Sequence, residues 1–111
     1  MDFTVSVAET DGRSIVTVAG ELDAHAAPML EAETGPLSRQ PGGRLIIDLT
    51  GVDFIDSTGL GVLVAALKHA READGTLDVV VATPRVLKVL ALTGLDVVIP
   101  LHSTLDEALA S

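Results

Sequence analysis

Apolar and polar positions alternate from the start of the chain: Phe3, Val5 and Val7 are interleaved with Thr4, Ser6 and Ala8. A period of two is that of a strand with one face in solvent. Asp11-Gly12 is a tight-turn signal, and Ser14 to Ala19 gives a second strand, so the first two elements predict an antiparallel hairpin. The pattern then lengthens to a helical one. Asp23 in Gly20-Glu21-Leu22-Asp23 reads as a helix N-cap. Ala27, Leu30, Thr34 and Leu37 fall on one helical face, Pro28 fits the first turn, and Gln40-Pro41-Gly42-Gly43 ends the segment. Leu45 to Leu49 reads as a buried strand. Leu60, Leu63, Val64, Leu67 and Ala70 recur as an amphipathic helix requires, with Gly75 suited to its C-terminal cap.

Leu77 to Ala82 is nearly all apolar, as in a central parallel strand covered on both faces. Pro84 opens a third helix, with Val86, Val89 and Leu90 directed inward and Gly94 at its end. Asp96 to Leu101 predicts a short last strand, and Ser103 the cap of a final helix that packs Leu105, Ala108 and Leu109. The order is β-β-α-β-α-β-α-β-α. This is an α/β chain with a mixed, mostly parallel sheet, an antiparallel N-terminal hairpin and about four helices. Without a linker, repeat or low-complexity tract, residues 1–111 are expected to form one domain.

Composition narrows the function. The chain holds two Phe and no Trp or Tyr, so its core must be aliphatic, and it lacks the stacking platforms of single-stranded nucleic-acid binders. A formal net charge of −9 repels nucleic acid and anionic membrane surfaces; it serves solubility, or a partner with a basic face. The absence of cysteine excludes disulfides and thiol chemistry. Met1-Asp2-Phe3-Thr4 lacks the basic start and apolar stretch of a signal peptide, and no apolar run is long enough to span a bilayer. A cytoplasmic protein without direct membrane insertion is expected.

The candidate chemistry lies in Phe54-Ile55-Asp56-Ser57-Thr58-Gly59-Leu60-Gly61, between the strand at Leu45 to Leu49 and the helix from Leu60. Asp, Ser and Thr there can simply cap the helix, because their oxygens satisfy its free N–H groups. Gly59 and Gly61 allow close approach of another backbone. Ser57 is also placed to be phosphorylated, which would add roughly −1.5 to −2 charges beside Asp53 and Asp56. A partner packed over the helix start would then have to desolvate that charge. The competing chemistries fit less well. The nucleophile elbow G-x-S-x-G is broken by Ile55, and nothing in the spacing brings His25, His69 or His102 to Ser57. Gly59-Leu60-Gly61 lacks the third glycine of a dinucleotide fingerprint. Asp48, Asp53 and Asp56 match no calcium loop; Asp48 reads as a cap or loop anchor. No catalytic residue, metal site or cofactor is assigned.

Gly20-Glu21-Leu22-Asp23, Leu45-Ile46-Ile47-Asp48-Leu49, Phe54 to Gly61 and Thr93-Gly94-Leu95 together resemble the STAS domain, specifically the bacterial anti-anti-sigma factors, over nearly the whole chain. The resemblance implies partner switching by a protein that is not an enzyme. The unphosphorylated form binds an anti-sigma factor that is also an ATP-dependent serine kinase, and a sigma factor is released. Phosphorylation of the serine after the motif aspartate, here Ser57, dissociates the complex, and a phosphatase resets it. Thr58 stands where the family allows Ser or Thr. Asp23 matches an aspartate close to the partner surface, and Asp56, Gly59 and Gly61 complete the motif. The alternative that the resemblance allows is a STAS scaffold or regulatory subunit of a stressosome-like or membrane-transporter complex.

Overall fold

In a computed structural model describing residues 3–111, β1 (Thr4–Thr10) pairs antiparallel with β2 (Arg13–Leu22), as the alternation predicts. Met1 and Asp2, the start of the segment expected to lack a leader pattern, lie outside the described residues. Asp11 at φ 52° and Gly12 at φ 78° supply the two left-handed residues of a tight hairpin turn. There follow α1 (Ala27–Ser38), β3 (Arg44–Ile55), α2 (Ser57–Glu72), β4 (Thr76–Val80), α3 (Pro84–Leu92), α4 (Leu95–Val98), β5 (Leu101–His102) and α5 (Leu105–Ala110). The strands lie in the order β1-β2-β3-β4-β5, and every pairing after the hairpin is parallel.

The two faces of the sheet are covered unequally. Val16, Val18, Leu45, Ile47, Leu49 and Val79 pack against Leu30 of α1, Leu63 and Ala66 of α2, and Val86 and Leu90 of α3. Ile15, Ile46 and Val80 point to the other face, where α5 covers them with Ala108, Leu105 and Leu109. The central strands are thus buried on both sides, which is why they read as continuous apolar runs. Among the described residues no helix is long and apolar enough to cross a membrane.

Several local expectations are corrected. Leu45 to Leu49 is only the first half of a strand that runs on to Ile55. Asp96 to Leu101 is mostly not a strand, since residues Leu95–Val98 make a helical turn and only Leu101 and His102 pair with β4. Ile99 N–H donates to the Leu95 carbonyl at 2.9 Å, and Ile99 is buried while Val97 is exposed. A short apolar run does not by itself distinguish helix from strand. With this short turn included, five helices pack the sheet among the described residues, in keeping with the expected number of about four. The hydroxyl of Thr104, not Ser103, caps α5 by accepting from the N–H of Glu107. After α2 the left-handed residue is Asp74 at φ 57°, not Gly75. Gly75 instead permits contact between loops: a Cβ there would fall 2.4 Å from the Gly43 carbonyl oxygen.

Candidate functional site

β2 and β3 run parallel with Leu22 opposite Ile55, so the residues that follow each strand emerge side by side at the carboxyl edge of the sheet. Open α/β sheets commonly place their binding residues at this edge. Asp23 follows β2 and Asp56 follows β3. Each carboxylate closes a tight turn. Asp23 Oδ1 accepts from the N–H of His25 at 3.1 Å and of Ala26 at 2.9 Å. Asp56 Oδ1 accepts from Thr58 at 2.9 Å and Gly59 at 3.0 Å. The Asp56 N–H reaches across to the Leu22 carbonyl at 3.3 Å, which joins the two turns. Asp23 is accordingly not the N-cap of α1, which starts after Ala26 with no side-chain cap. It caps the turn just before that helix.

The same geometry separates two roles that the sequence left merged in Ser57. The N-cap of α2 is Asp56, and Ser57 is the first helical residue. Ser57 and Thr58 are both exposed. The Ser57 hydroxyl makes no hydrogen bond within the fold among the described residues, so it is not spent on capping. Gly59, one position further, is buried because nothing larger fits: a Cβ would lie 2.6 Å from the Leu22 carbonyl oxygen and 2.7 Å from Leu22 Cγ. Gly59 thereby lets the first turn of α2 lie directly on the end of β2, which fixes the orientation of Ser57.

Asp56 also determines what an added charge would meet. Two N–H groups of the helix start are already held by its carboxylate. A phosphoryl group on Ser57 Oγ would find those donors taken and the Asp56 carboxylate adjacent, with exposed Asp53 four residues before Ser57. Helix N-termini favour anions, but only through donors that are still free. The added charge would thus be turned outward, toward solvent or a docked protein.

The remaining candidates lie apart from Ser57. His69 sits near the far end of α2, with Nε2 3.3 Å from an Arg39 guanidinium nitrogen and Nδ1 3.5 Å from the Ser38 hydroxyl. His102 Nε2 is 2.9 Å from Asp78 Oδ1 in β4. His25 is exposed and contributes its backbone N–H to Asp23. None of the three rings is hydrogen-bonded to Ser57. Asp48 lies within β3, buried, and accepts from the N–H and hydroxyl of Thr50, so it anchors the strand locally.

The helix pattern misjudged one flank of α2. The inward residues are Gly59, Val62, Leu63, Ala66 and Ala70, whereas Val64 is 46% exposed. Val64 lines an apolar groove that starts at Ser57 and is closed on the other side by Thr93 and Leu95 from the turn between α3 and α4. Val62 and Val64 are both apolar, so the pattern of apolar positions does not by itself say which of them is covered. The clue available was that α2 carries more apolar residues than one buried stripe can use.

Residues 4–108 match the family model described as the STAS domain. The chain is 35% identical over 103 residues to an anti-sigma-B factor antagonist of Bacillus subtilis, covering 93% of this chain and 94% of the relative. It is 34% identical to the protein of the same name from Listeria monocytogenes, covering 96% and 95%. The crystal structure of an anti-sigma factor antagonist from Mycobacterium paratuberculosis superposes with a TM-score of 0.88 at 39% identity, covering 98% of this chain and 92% of that one.

Proposed function

Because the chain belongs to the STAS domain family, we propose that it is an anti-anti-sigma factor, a cytoplasmic regulatory protein that sequesters an anti-sigma factor and is released from it by phosphorylation of Ser57. The observation that carries this reading is the Ser57 hydroxyl itself: exposed, oriented by Gly59, and left free because Asp56 does the capping. The partner is an anti-sigma factor with serine kinase activity, which takes the phosphoryl group from ATP; a phosphatase restores the hydroxyl. Asp23, Asp56 and Thr58 share the edge around the acceptor and belong to the docking surface.

The switch works by electrostatics at an interface. Unmodified Ser57 is small and neutral, and a partner can cover it at little cost. Once phosphorylated, it places a dianionic group beside Asp56, and a partner that covers it must bury an unpaired charge. That costs on the order of 2–5 kcal/mol, or roughly tens- to thousands-fold in affinity. Mixing the chain with its anti-sigma kinase and ATP, followed by mass spectrometry and a binding measurement, tests the proposal. One phosphate on Ser57 with loss of the complex is expected. Ser57→Ala should remain bound in the presence of ATP, and Ser57→Asp should bind poorly. An intact complex after ATP, with no phosphate on Ser57, would contradict the assignment.

A further inference from the structure

Gly59 and Gly61 are both helical residues of α2, yet only one of them is explained by the fold. Gly59 is forced by Leu22. A Cβ built on Gly61 meets nothing within 4 Å. Glycine in a helix interior weakens the helix relative to alanine, so Gly61 has a cost that no contact inside this chain offsets. It lies one turn from Ser57 on the same outward face. With Leu60, Val64 and Leu95 it also lines the groove of about 460 Å³. The groove's one charged lining residue is Lys68. Lys68 has no ion-pair partner among the described residues, where the sole such pair is His102 with Asp78. Ser57 and Lys68 are eleven residues apart on α2, about 16 Å at the helical rise.

We propose that this groove seats an amphipathic helix of the anti-sigma factor. An apolar side chain of that helix packs onto the bare backbone at Gly61, and a carboxylate about three turns from Ser57 pairs with Lys68. The inference rests on the partner-switching reading above and adds the chemistry of the docked segment. Helices pack ridge into groove, and their closest approach is set by the side chains at the crossing. A missing Cβ at Gly61 allows the tightest approach next to the phospho-acceptor. In a chain of net charge −9, a lone cation in an apolar groove is a complementary point for an acidic residue. The groove is continuous with Ser57, so a phosphate there stands at its mouth.

The test measures stability and affinity in the same variants. Purified wild type, Gly61→Ala, Lys68→Glu and Lys68→Arg are melted thermally, then titrated calorimetrically against the anti-sigma kinase loaded with ADP. Gly61→Ala should raise Tm by about 3–6 °C and weaken binding by about tenfold or more. Lys68→Glu should weaken binding about fivefold, with Lys68→Arg within about twofold of wild type. A Gly61→Ala variant that binds within about twofold of wild type overturns the inference and leaves the Ser57 switch standing. So does a variant with lowered Tm, since the glycine would then serve the fold. A concentration-dependent dimer abolished by Gly61→Ala assigns the groove to a second copy and also overturns it. If wild type itself neither binds the kinase nor is phosphorylated on Ser57, the switch fails and the inference falls with it.

Discussion

The two faces of α2 are built to different standards. On the inner face Gly59, Val62, Leu63, Ala66 and Ala70 are buried against the rest of the fold. On the outer face Ser57, Gly61, Val64 and Lys68 touch little of this chain, and two of them break the usual rules for a solvated helix: a central glycine and a half-exposed valine. One helix thus divides the labour: its inner face carries stability, and its outer face is the one that the proposed function assigns to recognition. Under the proposed switch, this division would let a covalent change at Ser57 alter binding while leaving the fold intact.

Substitutions on the two faces should therefore separate cleanly. Leu63→Ala leaves a cavity at a fully buried position and should cost about 2–5 kcal/mol in urea unfolding. Gly59→Ala forces a methyl against the Leu22 carbonyl and should cost about 1–3 kcal/mol by the same measurement. Asp56→Ala frees the two N–H groups held at the start of α2 and should cost about 0.5–2 kcal/mol. Amide exchange should localise that loss to the first turn of the helix. Val64→Ser, on the outer face, should change stability by no more than about 0.5 kcal/mol and still weaken capture of the anti-sigma factor. If Val64→Ser destabilises the chain as much as Leu63→Ala, the two faces are not distinct.

How far the sequence revealed this arrangement differed by element. The hairpin was legible because Asp11-Gly12 is a local signal and β1 alternates in plain view. The parallel strands were legible as apolar runs, but not the length of β3: Thr50, Gly51 and Asp53 look like loop residues, and the pairing of Gly51, Val52, Phe54 and Ile55 with β2 carries the strand past the unpaired Thr50 and Asp53. Register shifts between Thr17 and Ala19, and again between Gly20 and Glu21, accommodate that pairing. The Asp23 and Asp56 turns were visible as capping residues, yet only the strand register shows that they emerge together. The distinction between Gly59 and Gly61 was invisible, since it depends on Leu22, thirty-seven positions before one of them in the chain. α4 was missed because Leu95 to Ile99 is apolar enough for either structure, and the choice is made by Gly94 at φ 78° and by the burial of Ile99.

The most direct measurement is calorimetric titration of the same anti-sigma factor with unmodified chain and with chain phosphorylated stoichiometrically on Ser57, each first shown by circular dichroism to be folded. A loss of at least about tenfold in affinity, with the melting temperature held within a few degrees, is the expected result. Equal affinity for the two forms, or a loss explained by unfolding of the phosphorylated chain, would contradict it.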